Sequence, residues 1–237
     1  QATDVAFRVL EKSKVIEDVY AHSYEQNLGS SVLQKNKEII MLGSVNYLGL
    51  THHKDVISAV LQATKDHGTG GLGSRYSNGS LTIHFELDDA MKTFLNKEDC
   101  VIFNSGYMAN LGAISSFGKD AMIFSDKENH LSIYDGLRLS QSKYMRFRHN
   151  DVNHLDYLLK KYQRHKNKWL VLVGTFGATG ENIKLKALVD IAKKYNTKIY
   201  LDDAHLIGIE GKNKHGLSES RSEEHTSELQ SPDHLVC

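Results

Sequence analysis

Leu201-Asp202-Asp203-Ala204-His205 closes the apolar run Lys198-Ile199-Tyr200-Leu201 with a carboxylate and an imidazole three residues apart. This run and the upstream Trp169-Leu170-Val171-Leu172-Val173 are continuous in apolar residues rather than alternating, as strands of a parallel sheet buried on both faces require. Asp202 then stands at the carboxyl end of a strand, the edge where open α/β sheets bind ligands. Taken alone, such an Asp caps the next helix or faces water, so its neighbours have to decide the matter.

Working outward, apolar residues at helical spacing place Val56, Ile57, Val60, Leu61 and Thr64 on one face of a helix over residues 54–66. Ile83, Leu87, Ala90, Met91, Phe94 and Leu95 do the same for a second helix. A strand is expected at Cys100 to Phe103, then a turn at Asn104-Ser105-Gly106 leading into a helix from about Tyr107. Strands follow at 121–124 and 143–147, with helices at 152–162, carrying Leu155, Leu158 and Leu159 inward, and at 185–195. This alternation predicts an α/β fold, a mostly parallel sheet flanked by helices with right-handed crossovers.

The chain has 237 residues, 40% hydrophobic and 24% charged, the composition of an ordinary globular protein with enough length for a substantial core. Its 29 basic and 29 acidic residues cancel, so no global field favours nucleic acid or an anionic membrane, and small-molecule substrates are the expectation. No apolar stretch has the length of a transmembrane segment and the start Gln1-Ala2-Thr3-Asp4 has no signal-peptide pattern, which points to a cytoplasmic protein. Cys100 and Cys237 offer no disulfide framework, and the thirteen histidines lack the company of a zinc site, so no metal is expected.

Gly68-Thr69-Gly70-Gly71-Leu72-Gly73 matches the dinucleotide fingerprint by letter, which keeps a nicotinamide-dependent oxidoreductase in view. That fingerprint needs a strand before it and a helix opening within it, whereas a helix is expected before Gly68 and polar loop after Gly73. Ser105-Gly106-Tyr107 is better placed, between strand and helix, where free amides and the helix dipole favour a phosphate. A bare βα turn explains it equally well in isolation. His130, in Asn129-His130-Leu131-Ser132, follows a strand at the same edge and could lie flat over a ring, although an ordinary loop histidine is the simpler reading by itself. Together, a phosphate turn, a stacking imidazole, Asp202 for a pyridinium nitrogen and His205 for a phenolic oxygen describe a site for pyridoxal 5'-phosphate.

A longer series runs in order along the chain: Asn46-Tyr47-Leu48-Gly49, Gly73-Ser74-Arg75, Ser105 to Gly112, Asn129 to Gly136, Phe147 to Asp151 and Asp202 to His205. Over residues 40–219 the chain resembles the α-oxoamine synthases, fold-type I enzymes dependent on pyridoxal phosphate. The resemblance implies an enzyme that condenses an amino acid with an acyl-CoA thioester, losing carbon dioxide, and that works as a homodimer when full-length. It makes His130, Asp202 and His205 catalytic and cofactor-binding, Ser105, Gly106 and Tyr107 the phosphate turn, and Asn46 a substrate-carboxylate contact across the dimer interface. An aminotransferase or a non-catalytic subunit of the same fold is the alternative.

Three departures stand out. Gly177 replaces a hydroxyl in Val173-Gly174-Thr175-Phe176-Gly177; Asp203 and Leu206 replace Glu and Ser; and no lysine follows Lys214, although the family's Schiff-base lysine lies downstream of the Asp-x-Ala-His strand. Residues 220–237 hold the only proline, show no helix or strand period, and resemble a translated adapter-like segment. The expected organisation is an N-terminal arm over 1–50, an incomplete cofactor-binding large domain over 51–219 and a foreign or disordered tail over 220–237. Such a fragment is expected to be inactive.

Overall fold

The computed structural model describes residues 23–222 and 234–236. They form two compact units, one ending at Gly79 and the other beginning at Ser80. In the first, β1 (Gln26–Asn27), β2 (Ser31–Gln34) and β3 (Lys37–Ile40) make an antiparallel meander. Lys35 and Asn36 turn between β2 and β3 with φ of 50° and 60°, the left-handed pair that a two-residue hairpin needs. After a short turn at Leu50–His52 comes α1 (Lys54–His67), which groups with the arm before it in the unit that ends at Gly79. A helix thus precedes Gly68, and the strand that a dinucleotide fingerprint requires is not there.

The apolar face expected on α1 is left uncovered: Val56, Ile57, Val60 and Leu61 are exposed. An apolar stripe is buried only where another layer lies on it, and within the described residues of its own unit none does. The same holds in the second unit for α2 (Thr82–Leu95), which has no buried residue. Cys100–Phe103 is not a strand either; Val101 is 73% exposed, and no described strand pairs with the run.

From there the alternation holds: α3 (Gly106–Ser115), β4 (Met122–Asp126), α4 (Leu131–Ser140), β5 (Lys143–Phe147), α5 (Val152–Lys161) and β6 (Lys168–Val173). The small hairpin β7 (Thr175–Phe176) and β8 (Glu181–Asn182), α6 (Leu185–Lys194), β9 (Lys198–Asp202) and α7 (Leu217–Ser222) follow. Four parallel strands lie in the order β9-β6-β4-β5, with Met122 beside both Lys143 and Lys168, and Trp169 beside Lys198. β10 (His234–Val236) adds a parallel edge strand beside β9, inside a segment whose sequence shows no strand period; residues 223–233 of the expected tail lie outside the described residues. Ile123, Phe124, Leu170, Val171 and Leu172 are fully buried, which is why β4 and β6 read as unbroken apolar runs.

This order positions the site. The chain leaves β4 toward β5, then crosses back over β4 to β6 and continues to β9. Connections therefore diverge between β4 and β6, and ligands of such sheets bind in the crevice that opens at the carboxyl ends there. α3 and α4 pack on each other, as do α5 and α6. Gly136 makes the first contact possible: a Cβ there would meet the Asn110 carbonyl oxygen at 2.9 Å and Ile114 Cβ at 3.0 Å.

Candidate functional site

Asp202 ends β9 at the carboxyl edge and is buried. Its Oδ1 accepts from the Ala204 amide at 3.2 Å and its Oδ2 from Asn110 Nδ2 at 2.9 Å. A carboxylate offers about four lone-pair sites, so these two bonds leave acceptor capacity for a further N–H. Asn110, 2% exposed, gives its second N–H to Ser132 Oγ at 2.8 Å and accepts from the Tyr200 hydroxyl at 2.6 Å. Ser132 in turn meets His130 Nδ1 at 2.7 Å, and its amide donates to the same nitrogen at 3.3 Å. His130, the residue that caps α4, and Asp202 are thus joined through two buried side chains.

The turn expected to hold a phosphate, Ser105-Gly106-Tyr107, starts the helix that carries Asn110. Asn110 lies four residues after Gly106 on α3, one helical turn along the same face. Ser105 caps the helix, accepting from the Met108 amide at 3.2 Å through its side chain and from the Ala109 amide at 3.0 Å through its carbonyl. The Gly106 and Tyr107 amides have no partner among the described residues, and a Cβ on Gly106 would meet nothing within 4 Å. Two free amides at the start of a ten-residue helix, open to approach, are an arrangement that favours a negatively charged group. The Tyr107 ring stands edge-on to His130 with centroids 6.2 Å apart, and its hydroxyl donates to Asp135, which raises the phenol above its usual pKa.

His205 lies three residues past Asp202, half-buried against Gly177, where a Cβ would approach its Nε2 to 2.8 Å. The missing hydroxyl at Gly177 is therefore a matter of space: a serine there has to displace the imidazole. Asp203, at 1% exposure, points away from this group toward α7, accepting from the Leu217 amide at 2.7 Å. Burial pushes its carboxyl up to about 6 against the pull of the Leu217 and Ser218 amides, and the neighbouring Asp202 adds to the rise. Its Oδ1 has no hydrogen-bond partner among the described residues, so nothing there offsets the cost of burying the charged form. Asn46 sits in the first unit, where its amide spans the Thr51 hydroxyl at 2.9 Å and the Gly29 carbonyl at 3.4 Å.

Sequence reasoning passed over Asn110 and Ser132 as site residues although both stood inside the quoted motifs. Their signal was available in part: Asn110 is one helical turn beyond the phosphate turn, and Ser132 is two residues from His130. What spacing cannot show is that 92 residues of separation close to a 2.9 Å contact with Asp202.

Comparison with known proteins identifies the family. The chain is 40% identical over 211 residues to serine palmitoyltransferase of Bacteriovorax stolpii, covering 86% of this chain and 50% of that protein. It is 36% identical over 192 residues to 8-amino-7-oxononanoate synthase of Geobacter sulfurreducens, covering 81% and 49%. Among solved structures, serine palmitoyltransferase from S. paucimobilis with a bound PLP-myriocin aldimine matches with a TM-score of 0.87 and 34% identity, over 94% of this chain and 59% of that one. The chain spans about half the length of the curated relatives it matches. Residues 37–230 match the family described as aminotransferase class I and II, and the chain belongs to that family.

Proposed function

We propose that this chain is the cofactor-binding part of an acyltransferase that uses pyridoxal 5'-phosphate to condense an amino acid with an acyl-CoA thioester, with decarboxylation. The observation that carries the reading is the buried connection from Asp202 through Asn110 and Ser132 to His130, one helical turn from free amides at Gly106 and Tyr107. An anionic acceptor, an imidazole and a helix-start turn would match the three chemically distinct parts of that cofactor. Bound there, the cofactor supplies an electron sink for the substrate's α-carbon. Asp202 would hold the proton on the ring nitrogen, His130 would lie against the ring and orient the substrate carboxylate, and His205 would hydrogen-bond the phenolic oxygen. Ser105, Gly106 and Tyr107 would hold the phosphate, and Asn46 the substrate carboxylate across a homodimer interface.

The wording Gly106-Tyr107-Met108-Ala109-Asn110-Leu111-Gly112 and Ser132-Ile133-Tyr134-Asp135-Gly136 favours a serine palmitoyltransferase, serving sphingolipid biosynthesis, over 8-amino-7-oxononanoate synthase or 2-amino-3-ketobutyrate CoA ligase. We place the full-length enzyme in the cytoplasm. Among the described residues no helix is long and apolar enough to cross a membrane.

The test is equilibrium binding of pyridoxal 5'-phosphate to the 237-residue chain, followed by the cofactor's absorbance with inorganic phosphate as competitor. Asp202→Ala should weaken binding by roughly 10- to 100-fold, the worth of one hydrogen bond to a charged group. Equal affinity in the variant would remove Asp202 from the site. For the substrates, a gene extended to the length of the relatives should release free CoA from palmitoyl-CoA faster with L-serine than with other amino acids.

A further inference from the structure

We infer that Asn110 is a positioning residue that couples the Asp202 carboxylate to the imidazole of His130, with Ser132 delivering the result as a fixed tautomer of the ring. The inference rests on the cofactor reading only for what Asp202 and His130 eventually meet; the relay is a property of the chain itself.

The argument is an accounting of donors and acceptors. Asn110 Oδ1 accepts from the Tyr200 hydroxyl at 2.6 Å, while Nδ2 faces Asp202 Oδ2 at 2.9 Å and Ser132 Oγ at 2.8 Å. A carboxylate oxygen is an acceptor, so the amide has one orientation, and both of its N–H groups are used. Tyr200 and Asp202 are two residues apart on β9 and face the same side of the sheet, so one strand fixes both ends of the amide. Ser132 Oγ, having accepted from Asn110, has its own hydrogen to give, and His130 Nδ1 lies 2.7 Å away. That nitrogen also receives the Ser132 amide at 3.3 Å. A nitrogen receiving two hydrogens carries none of its own. The neutral ring is therefore the Nε2–H tautomer.

Burial gives the chain of bonds its leverage. Ser132 is fully buried, Asn110 2% exposed and Tyr200 1% exposed, so no bulk water competes for these groups and a lost partner is not replaced. Asn110 belongs to α3, His130 and Ser132 to the start of α4, and Asp202 to β9; the amide holds three elements in one register.

The experiment labels the 237-residue chain with 15N-histidine and records two-bond proton–nitrogen correlation spectra, which distinguish the two ring tautomers. His130→Gln assigns the signals. The wild type should show His130 with a bare Nδ1 and a protonated Nε2. In Ser132→Ala the tautomer ratio should fall by a factor of roughly 3 to 10, as loss of one ordinary hydrogen bond implies. Asn110→Ala should produce the same change from a residue that does not touch His130, and Tyr200→Phe, which removes only the hydroxyl that orients the amide, should move the same resonances in the same direction. The Tyr200 variant keeps the inference testable if Asn110→Ala fails to fold. A wild-type ring protonated at Nδ1 would overturn the proposal, as would His130 resonances that respond to Ser132→Ala but stay at wild-type positions in both other variants. A chain that shows the full pattern yet takes up no pyridoxal 5'-phosphate would retire the cofactor reading and leave the relay standing.

Discussion

At the scale of single residues, Asp202 and Asp203 show how adjacent carboxylates separate by environment. Asp202 is matched by donors on both oxygens, whereas Asp203 has one orphaned oxygen and a pKa pushed up to about 6 by burial. A raised carboxyl pKa means that the folded chain binds a proton the unfolded chain releases, so stability falls as pH rises from about 4 through about 6. The shift corresponds to at most on the order of 3 kcal/mol. Asp203→Asn keeps the acceptor toward Leu217 and abolishes the titration. Urea melts of wild type and variant between pH 4 and 7 should converge at the acid end and separate at pH 7, with the variant more stable; parallel curves across the range would refute the assignment. Asp202 was identifiable from its strand-end position, but the buried acid beside it was legible only as a substitution, because burial is not written in the letters Asp-Asp.

Among elements, the contact of α3 with α4 decides whether the site exists. Gly136 is a point of close approach, and a methyl there would press on the Asn110 carbonyl at 2.9 Å and on Ile114 Cβ at 3.0 Å. Gly→Ala in a helix gains about 1 kcal/mol of propensity, while overpacking against backbone costs about 1–3 kcal/mol. Since both obstructing atoms are backbone or Cβ and cannot rotate away, the cost wins, and Gly136→Ala should lower the urea midpoint while shifting Asn110 from Ser132. A variant as stable as wild type would show that the helices have slack. The elements themselves were largely readable: β5 falls on the expected residues, and β4, β6, β9, α5 and α6 differ from expectation by one or two residues at their ends. The failed strand at Cys100–Phe103 and the uncovered apolar faces of α1 and α2 share one cause. Periodicity reports what a segment can bury and says nothing of whether a partner is present to bury it.

For the whole molecule, that cause becomes a testable property. Val60 and Leu61 on α1 are 58% and 59% exposed, and Phe85 on α2 and Val101 are 56% and 73% exposed, so each unit presents apolar surface of the kind that marks an interaction site. The relatives are about twice as long as the part matched here. The 237-residue chain should therefore bind the dye ANS strongly, and a chain extended to the length of its relatives should bind severalfold less per mole; equal binding by both would mean that these faces are not covered by the additional sequence. By itself the sequence determined the parallel α/β alternation, the carboxyl-edge position of Asp202 and His130 and a helix start near Tyr107, because each follows from local periodicity and turn chemistry. Only the tertiary structure decided that Asn110 and Ser132 join those residues and that His205 is held against Gly177. Those contacts arise where separate elements cross, and their hydrogen-bond geometry depends on fractions of an ångström in packing that no local pattern encodes.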